Sequence, residues 1–123
     1  MKAEQKLYET DPEFMERFEH FAYEEVVKEE GQILDEKTRY LAILATLLGC
    51  QGLDVFKATL PEALDAGLSP VMIKETVYQA VDYLGIGRMY PFLGAVNEVL
   101  EERGVQLPLG RTSDHYHGKP SGK

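Results

Sequence analysis

The sequence predicts an all-α protein, built as a five-helix antiparallel bundle in one domain that spans residues 1–104. Apolar residues recur at three- and four-residue intervals in five segments, which is the spacing of one face of a helix. Several segments begin with a capping residue followed by proline and end at a glycine, as helices commonly do. No stretch shows the strict alternation of a half-buried strand. Short connections between the later segments favour antiparallel neighbours.

The first predicted helix begins at Asp11, a capping residue, which is followed by Pro12 in the position that proline favours. It extends to about Glu30, and Gly31 ends it. Its apolar face carries Phe14, Phe18, Phe21 and Val26. A single layer of five helices has difficulty covering this face, so we expect the chain to self-associate.

The second predicted helix begins at Asp35 and is apolar on nearly every side, which is typical of a buried central helix. Its apolar residues are Tyr40, Leu41, Ile43, Leu44, Leu47 and Leu48.

The third predicted helix extends from about Leu53 to Ala66 and contains a proline. Pro61 removes one backbone hydrogen bond and presses on the carbonyl group of Lys57, so we expect a kink or a short break. Gly67 ends the helix in the usual C-terminal manner. The residues expected to point inward are Phe56, Leu60, Ala63 and Leu64.

The fourth predicted helix begins at Ser69 and Pro70, again a capping residue followed by proline. Its apolar face continues to the glycine-containing turn of residues 85–87.

The fifth predicted helix begins near Tyr90 and Pro91 and ends at Gly104. The remaining residues, 105–123, are rich in glycine, proline and serine and show no periodicity. We therefore expect an extended or disordered C-terminal arm.

Composition excludes several classes of function. The net charge is −8, which argues against nucleic-acid binding, because phosphate neutralisation needs clustered Lys and Arg. No apolar run approaches the roughly 20 residues that a membrane span needs, and the polar, acidic first residues resemble no signal peptide. One cysteine allows no intrachain disulfide, which fits a reducing compartment. We expect a cytoplasmic protein without membrane partners.

Four segments together resemble the carboxymuconolactone decarboxylase family, which includes the alkylhydroperoxidase-like proteins. They are "DEKTR" at the start of the second predicted helix, then "ALDAGLSPVMIKE", "YQAVDYLGIG" and "AVNEVLEERG". They occur in the family's order and with similar spacing, from Asp35 to Gly104. The resemblance implies an all-helical, alkylhydroperoxidase-like fold that assembles into homo-oligomers, often trimers or hexamers.

The redox members of this family carry a Cys-x-x-Cys pair, then a His after three intervening residues, with a Glu upstream. The chain can be aligned with these members without gaps on Thr38-Arg39 and Ala63-Leu64. The Glu position is then Tyr40, the cysteine positions are Gly52 and Val55, and the His position is Thr59. The chain is therefore a divergent member that lacks the dithiol. The decarboxylase branch uses a His at the position of Thr59, and a threonine hydroxyl cannot transfer protons near neutral pH.

Cys50 lies two residues before the first family cysteine position. It follows the most apolar helix, so we expect a buried structural side chain. The C-terminus of a helix carries partial negative charge, which disfavours a thiolate. We therefore predict that Cys50 is not a redox nucleophile.

The resemblance implies a pocket between the third and fourth predicted helices and the "YLGIGR" turn. As catalytic residues we expect Tyr83, Gln79 and Lys57, and as substrate-binding residues Arg88, Glu62 and Asp82. A hydroxyl, an amide and a guanidinium could hold a small carboxylate, with Arg88 binding the anion.

Purely structural roles remain open for the same residues. Tyr83 could be an amphipathic core residue, and Gln79 could bond the backbone group that Pro61 frees. Arg88 could pair with an acidic residue such as Glu98 or Asp82, or with a neighbouring subunit. Lys57 could be a solvated side chain.

The histidines give a weak indication of metal binding. His115 and His117 lie in "DHYHGK" within the predicted arm, where a metal would be held only weakly. His20 lies among acidic residues of the first helix and is expected to be exposed. We expect no resident metal and no cofactor.

Three functions remain open. The first is a cofactor-free enzyme on a small carboxylate or lactone, of the carbon–carbon lyase type that the resemblance implies. The second is a peroxidase-like, peroxiredoxin-type protein that uses Cys50 alone or across subunits. The third is a non-catalytic oligomeric binding protein that has kept the fold and lost the chemistry.

Overall fold

The computed structural model describes residues 2–26 and 32–110, and every regular element in these ranges is a helix. The predicted all-α fold is therefore confirmed. The chain divides into two compact units, residues 1–35 and residues 36–123. The prediction of one domain over residues 1–104 stays a prediction.

The N-terminal unit contains helix α1 (Lys2–Thr10), helix α2 (Pro12–Glu19) and a π-helical segment (His20–Val26). The predicted start at Asp11 is correct, but α1 precedes it and was not predicted. Asp11 separates α1 from α2 with φ −136° and ψ 58°, because a residue before proline is driven out of the helical conformation. The predicted helix changes from α to π at His20, and its last predicted residues lie outside the described ones.

The predicted apolar face of the first helix stays exposed in the single chain. Phe14 and Phe21 expose 65% and 59% of their surface, and Phe18 is also exposed. Phe18 packs edge-to-face on Tyr23 with ring centroids 6.2 Å apart. Aromatic rings left in water favour association with another surface.

The second unit begins with helix α3 (Glu36–Gly49) and helix α4 (Leu53–Asp65). A kink or a short break was expected at Pro61, and no break occurs, since α4 continues through this residue. The helix ends where predicted, at Gly67, whose φ is +109°. The amide groups of Gly67 and Leu68 bond back to the carbonyl groups of Leu64 and Ala63, which is a Schellman motif.

Helix α5 (Pro70–Gln79) is capped as predicted, since the Ser69 hydroxyl accepts a hydrogen bond from the Met72 amide at 3.1 Å. The predicted fourth helix is interrupted at Ala80, and a short helix α6 (Val81–Leu84) follows. Helix α7 (Ile86–Glu102) begins four residues before the predicted Tyr90. Only Gly85, with φ +85°, separates α6 from α7.

The core of the second unit lies between α4, α7, α3 and α5. Phe56 of α4 and Phe92 of α7 meet edge-to-face with ring centroids 5.0 Å apart, and both are fully buried. Two ion pairs join the same helices at the surface, Lys57 with Glu98 and Arg103 with Asp65. Helices α4 and α7 are thus fixed to each other both by apolar packing and by charge.

The predicted C-terminal arm is partly ordered. Val105, Leu107 and Leu109 are half-buried and pack against the core. Residues 111–123, which include His115 and His117, lie outside the described residues. Residues 105–110 thus belong to the second unit, because alternate side chains of this segment pack against its core.

Candidate functional site

The positions that the resemblance assigns to a dithiol lie at the N-terminus of α4. Gly52 is the N-cap residue, and Val55 lies in the first turn with nearly half of its surface exposed. The first turn of a helix carries partial positive charge and stabilises a thiolate. The location therefore suits redox cysteines, but this chain has a hydrogen and an isopropyl group there.

The position of the family Glu lies on α3 and that of the family His lies on α4. Thr59 is only 9% exposed, and its hydroxyl donates a hydrogen bond to the Val55 carbonyl at 2.7 Å. The Tyr40 hydroxyl donates to the Glu62 carboxylate at 3.3 Å. Burial and the neighbouring Glu62 raise the pKa of Tyr40 above its ordinary value. Both hydroxyls therefore stay protonated near neutral pH and neither offers a general base.

The predicted burial of Cys50 is wrong, because its side chain is exposed. Cys50 is the capping residue after α3, where a Schellman motif turns the chain outward. The amides of Gln51 and Gly52 bond to the carbonyls of Leu48 and Leu47 at 3.1 and 2.8 Å. Gln51 holds the left-handed conformation, with φ +62°. The turn exposes Cys50 although the helix before it is apolar.

A groove of about 470 Å³ lies between α3 and the α5–α6 segment. Helix α3 and the α5–α6 segment contribute its lining: Leu41, Ala45, Leu48, Gly49, Thr76, Gln79, Ala80, Tyr83 and Leu84. The Thr76 hydroxyl donates to the Met72 carbonyl at 2.9 Å, so its proton is already used. The Gln79 amide and the Tyr83 hydroxyl are the polar groups that remain, and no hydrogen bond joins Gln79 to another described residue.

The structure brings together only two of the six predicted site residues, Gln79 and Tyr83, at this groove. Tyr83 is 91% exposed, which excludes the alternative of a core residue. The groove lies between the second and fourth predicted helices, whereas the prediction placed the pocket between the third and fourth. Sequence reasoning did not predict that α3 forms one wall of the groove. The available signal was that α3 is apolar on nearly every side, so it has apolar residues beyond those that the core buries.

The other four predicted residues lie elsewhere. Lys57 pairs with Glu98 of α7 at 3.2 Å, and Glu62 accepts the hydrogen bond from Tyr40. Asp82 and Arg88 are exposed and do not line the groove. Arg88 forms no ion pair with the described residues, and Glu98, which was a possible partner, is held by Lys57.

Residues that could hold a metal are not assembled in the described part of the chain. His20 is exposed, as predicted, and lies 3.6 Å from Glu24 and 3.2 Å from Glu25. No helix among residues 2–26 and 32–110 is both long and apolar enough to cross a membrane.

Comparison with known proteins gives one match. The family model described as "Carboxymuconolactone decarboxylase family" matches residues 12–98, which extend from the start of α2 into α7. The match includes the groove and all four positions where the redox members carry their Glu, cysteines and His. No curated protein and no solved structure matches the chain.

Proposed function

The chain belongs to the carboxymuconolactone decarboxylase family, and we propose that it binds a small, largely apolar carboxylate or lactone in the groove between α3 and α5–α6. The observation that carries the proposal is the composition of the groove, which combines apolar walls with the free Gln79 amide. Ligand pockets typically have this composition, because burial supplies affinity and a few polar groups supply orientation.

In this proposal Gln79 donates its amide hydrogens to the carboxylate or lactone oxygen, and the Tyr83 hydroxyl adds a second donor. Leu41, Leu48 and Leu84 contact the apolar part of the ligand. Arg88 lies beyond the groove and attracts the anion over a longer distance. Turnover would make the protein a cofactor-free lyase, and binding without turnover would make it a relative that has lost the chemistry.

Assembly into a trimer or hexamer belongs to the same proposal. Tyr83, Ile86 and Tyr90 are exposed apolar side chains close to the groove in sequence, and Phe14 and Phe21 are exposed in the N-terminal unit. Surfaces of this kind commonly mark contacts between subunits. The expected stoichiometry comes from the family resemblance, and light scattering at micromolar concentration measures it.

A pair of matched variants tests the groove. Ala45 lines it, whereas Ala42, about one helical turn earlier on α3, is also exposed but does not line it. Ala45→Trp should fill the groove and remove the increase in melting temperature that small, uncharged lactones cause. Ala42→Trp should leave that increase unchanged. Loss of the increase in both variants, or in neither, would contradict the proposed site. Product analysis on the same compounds distinguishes an enzyme from a binding protein.

A peroxidase-like function is the second candidate, because the Cys50 thiol is exposed and can meet peroxide. The thiolate would take one peroxide oxygen, become a sulfenic acid and release water or an alcohol. An external thiol or a second subunit would then have to reduce the sulfenic acid, since the chain holds no second cysteine. Peroxide consumption that disappears in Cys50→Ser would support this function and overturn the prediction that Cys50 is not a redox nucleophile.

A further inference from the structure

Helix α5 presents three faces to three different surroundings. Ile73 and Val77 belong to the buried core, and Thr76 and Gln79 line the groove. The third face is formed by residues spaced three, four and seven apart, which lie above one another on a helix. These residues are Val71, Lys74, Glu75 and Tyr78.

This third face forms one wall of a separate cavity of about 190 Å³. The opposite wall is the segment of residues 108–110, at the end of the packed part of the C-terminal arm. Leu107 and Leu109 hold that segment against the core. The cavity therefore has two fixed walls, and it shares no lining residue with the groove.

Lys74 is the cation of this cavity, and the described residues supply no ion-pair partner for it. Lys57 and Arg103, by contrast, each bond a carboxylate of the same unit. Lys74 is half-buried, and this burial lowers its pKa below the ordinary lysine value. A partly desolvated ammonium group that forms no ion pair is unfavourable, and an anion bound in contact with it reduces that cost.

We propose that the cavity is a second ligand site, which binds a small organic monocarboxylate with its charged end on Lys74 and its apolar body on Val71, Pro108 and Leu109. The Tyr78 hydroxyl, one helical turn after Lys74, supplies a further donor to the carboxylate. A dry cavity of about 150 Å³ accommodates a benzene ring, so the available volume suits an anion of about the size of benzoate.

Glu75 restricts the charge of the ligand. Its carboxylate belongs to the same wall but forms no ion pair with Lys74. It adds negative charge beside the bound anion, which disfavours dianions such as phosphate more strongly than monoanions. The site therefore selects a single negative charge attached to an apolar group.

Benzoate is the probe for this site, and benzamide is its neutral counterpart of the same shape. Titration of the ¹⁵N-labelled full-length protein should shift the amide signals of Lys74, Tyr78, Leu109 and Gly110. In the Ala45→Trp background, where the groove is filled, Lys74→Met should weaken benzoate binding about tenfold or more, because a charge-assisted contact is lost. Lys57→Met, which removes a lysine already paired with Glu98, should leave the affinity unchanged.

Several outcomes would overturn the site. Equal benzoate affinity in Lys74→Met, equal affinity for benzamide, or shifts confined to groove residues would each do so. Ala45→Trp fills the groove and should leave benzoate binding at Lys74 intact, so this proposal and the proposed groove function can fail separately.

Discussion

The Tyr40 hydroxyl donates a hydrogen bond to the Glu62 carboxylate, with 3.3 Å between the two oxygen atoms, and thereby joins α3 to α4. Glu62 lies three residues after Thr59 on α4, and Thr59 occupies the position where the redox members of this family carry their histidine. The contact links a half-buried phenol to an exposed carboxylate and so ties the two helices together.

Tyr40→Phe should lower the free energy of unfolding by about 0.5–1 kcal/mol, because a partly exposed hydrogen bond is lost while the ring stays packed. Urea denaturation near neutral pH measures the change. Glu62→Gln keeps an acceptor for the hydroxyl and should cost less. A larger loss in Glu62→Gln than in Tyr40→Phe would contradict this account of the contact.

The stability of the wild type should fall above about pH 10 more steeply than that of Tyr40→Phe. The folded-state pKa of Tyr40 is raised above its ordinary value of 10.0, first by burial and then by Glu62. A group with a raised folded pKa contributes stability below its unfolded pKa and loses that contribution as the pH rises through the folded pKa. Urea denaturation between pH 8 and pH 11 tests the difference, and parallel curves would show that Tyr40 is not perturbed.

Gln51→Gly should stabilise the protein by roughly 0.5 kcal/mol. Helices α3, α4 and α7 all end in a Schellman motif. The residue in the left-handed conformation is a glycine after α4 (Gly67) and after α7 (Gly104), but it is Gln51 after α3. A side chain in that conformation costs roughly 1–2 kcal/mol. The side-chain amide of Gln51 donates a hydrogen bond to the Leu48 carbonyl, which offsets part of this cost and would be lost in the glycine variant.

Gly67→Ala is the matched opposite and should destabilise. A Cβ atom at Gly67 would lie 2.8 Å from Lys37 Cε in addition to the backbone cost. Thermal unfolding of both variants decides the point, and a loss of stability in Gln51→Gly would show that the side-chain hydrogen bond outweighs the backbone strain.

Cys50→Ser should change the free energy of unfolding by less than about 0.5 kcal/mol, because the side chain is exposed and a serine hydroxyl can keep the contact that the sulfur makes with the Leu47 carbonyl. The wild type should react with one equivalent of an aromatic disulfide reagent without denaturant. A thiol that reacts only after unfolding would contradict the exposed position, and peroxide consumption no faster than that of a free thiol would agree with a cysteine outside redox chemistry.

Phe92→Ala should destabilise the second unit by about 3–5 kcal/mol, because it empties the centre of the core. Its ring meets Phe56 edge-to-face with 5.0 Å between centroids. Phe92→Leu keeps most of the volume and should cost less. Guanidinium denaturation measures both variants, and similar losses for Ala and Leu would mean that the aromatic pair, rather than the filled volume, carries the energy.

The sequence by itself determined the elements whose cause is local. Ser69 and Pro70 start α5, and Gly67 and Gly104 end α4 and α7, because capping hydroxyls, proline and left-handed glycine act on neighbouring backbone groups. The all-α class and the family followed from the same local pattern and from the order of four short segments. Helix α1 was missed because it carries too few apolar residues to show a periodic face.

Only the tertiary structure decided which residues meet. Lys57 pairs with Glu98 from a helix 41 positions further along the chain, so two residues that sequence reasoning treated separately neutralise each other. Gln79 and Tyr83 share a groove with α3, whereas Asp82 lies outside it, because the rotation of each helix about its axis is set by how the core packs. The exposure of Cys50 depends in the same way on the direction in which one turn leaves the end of an apolar helix.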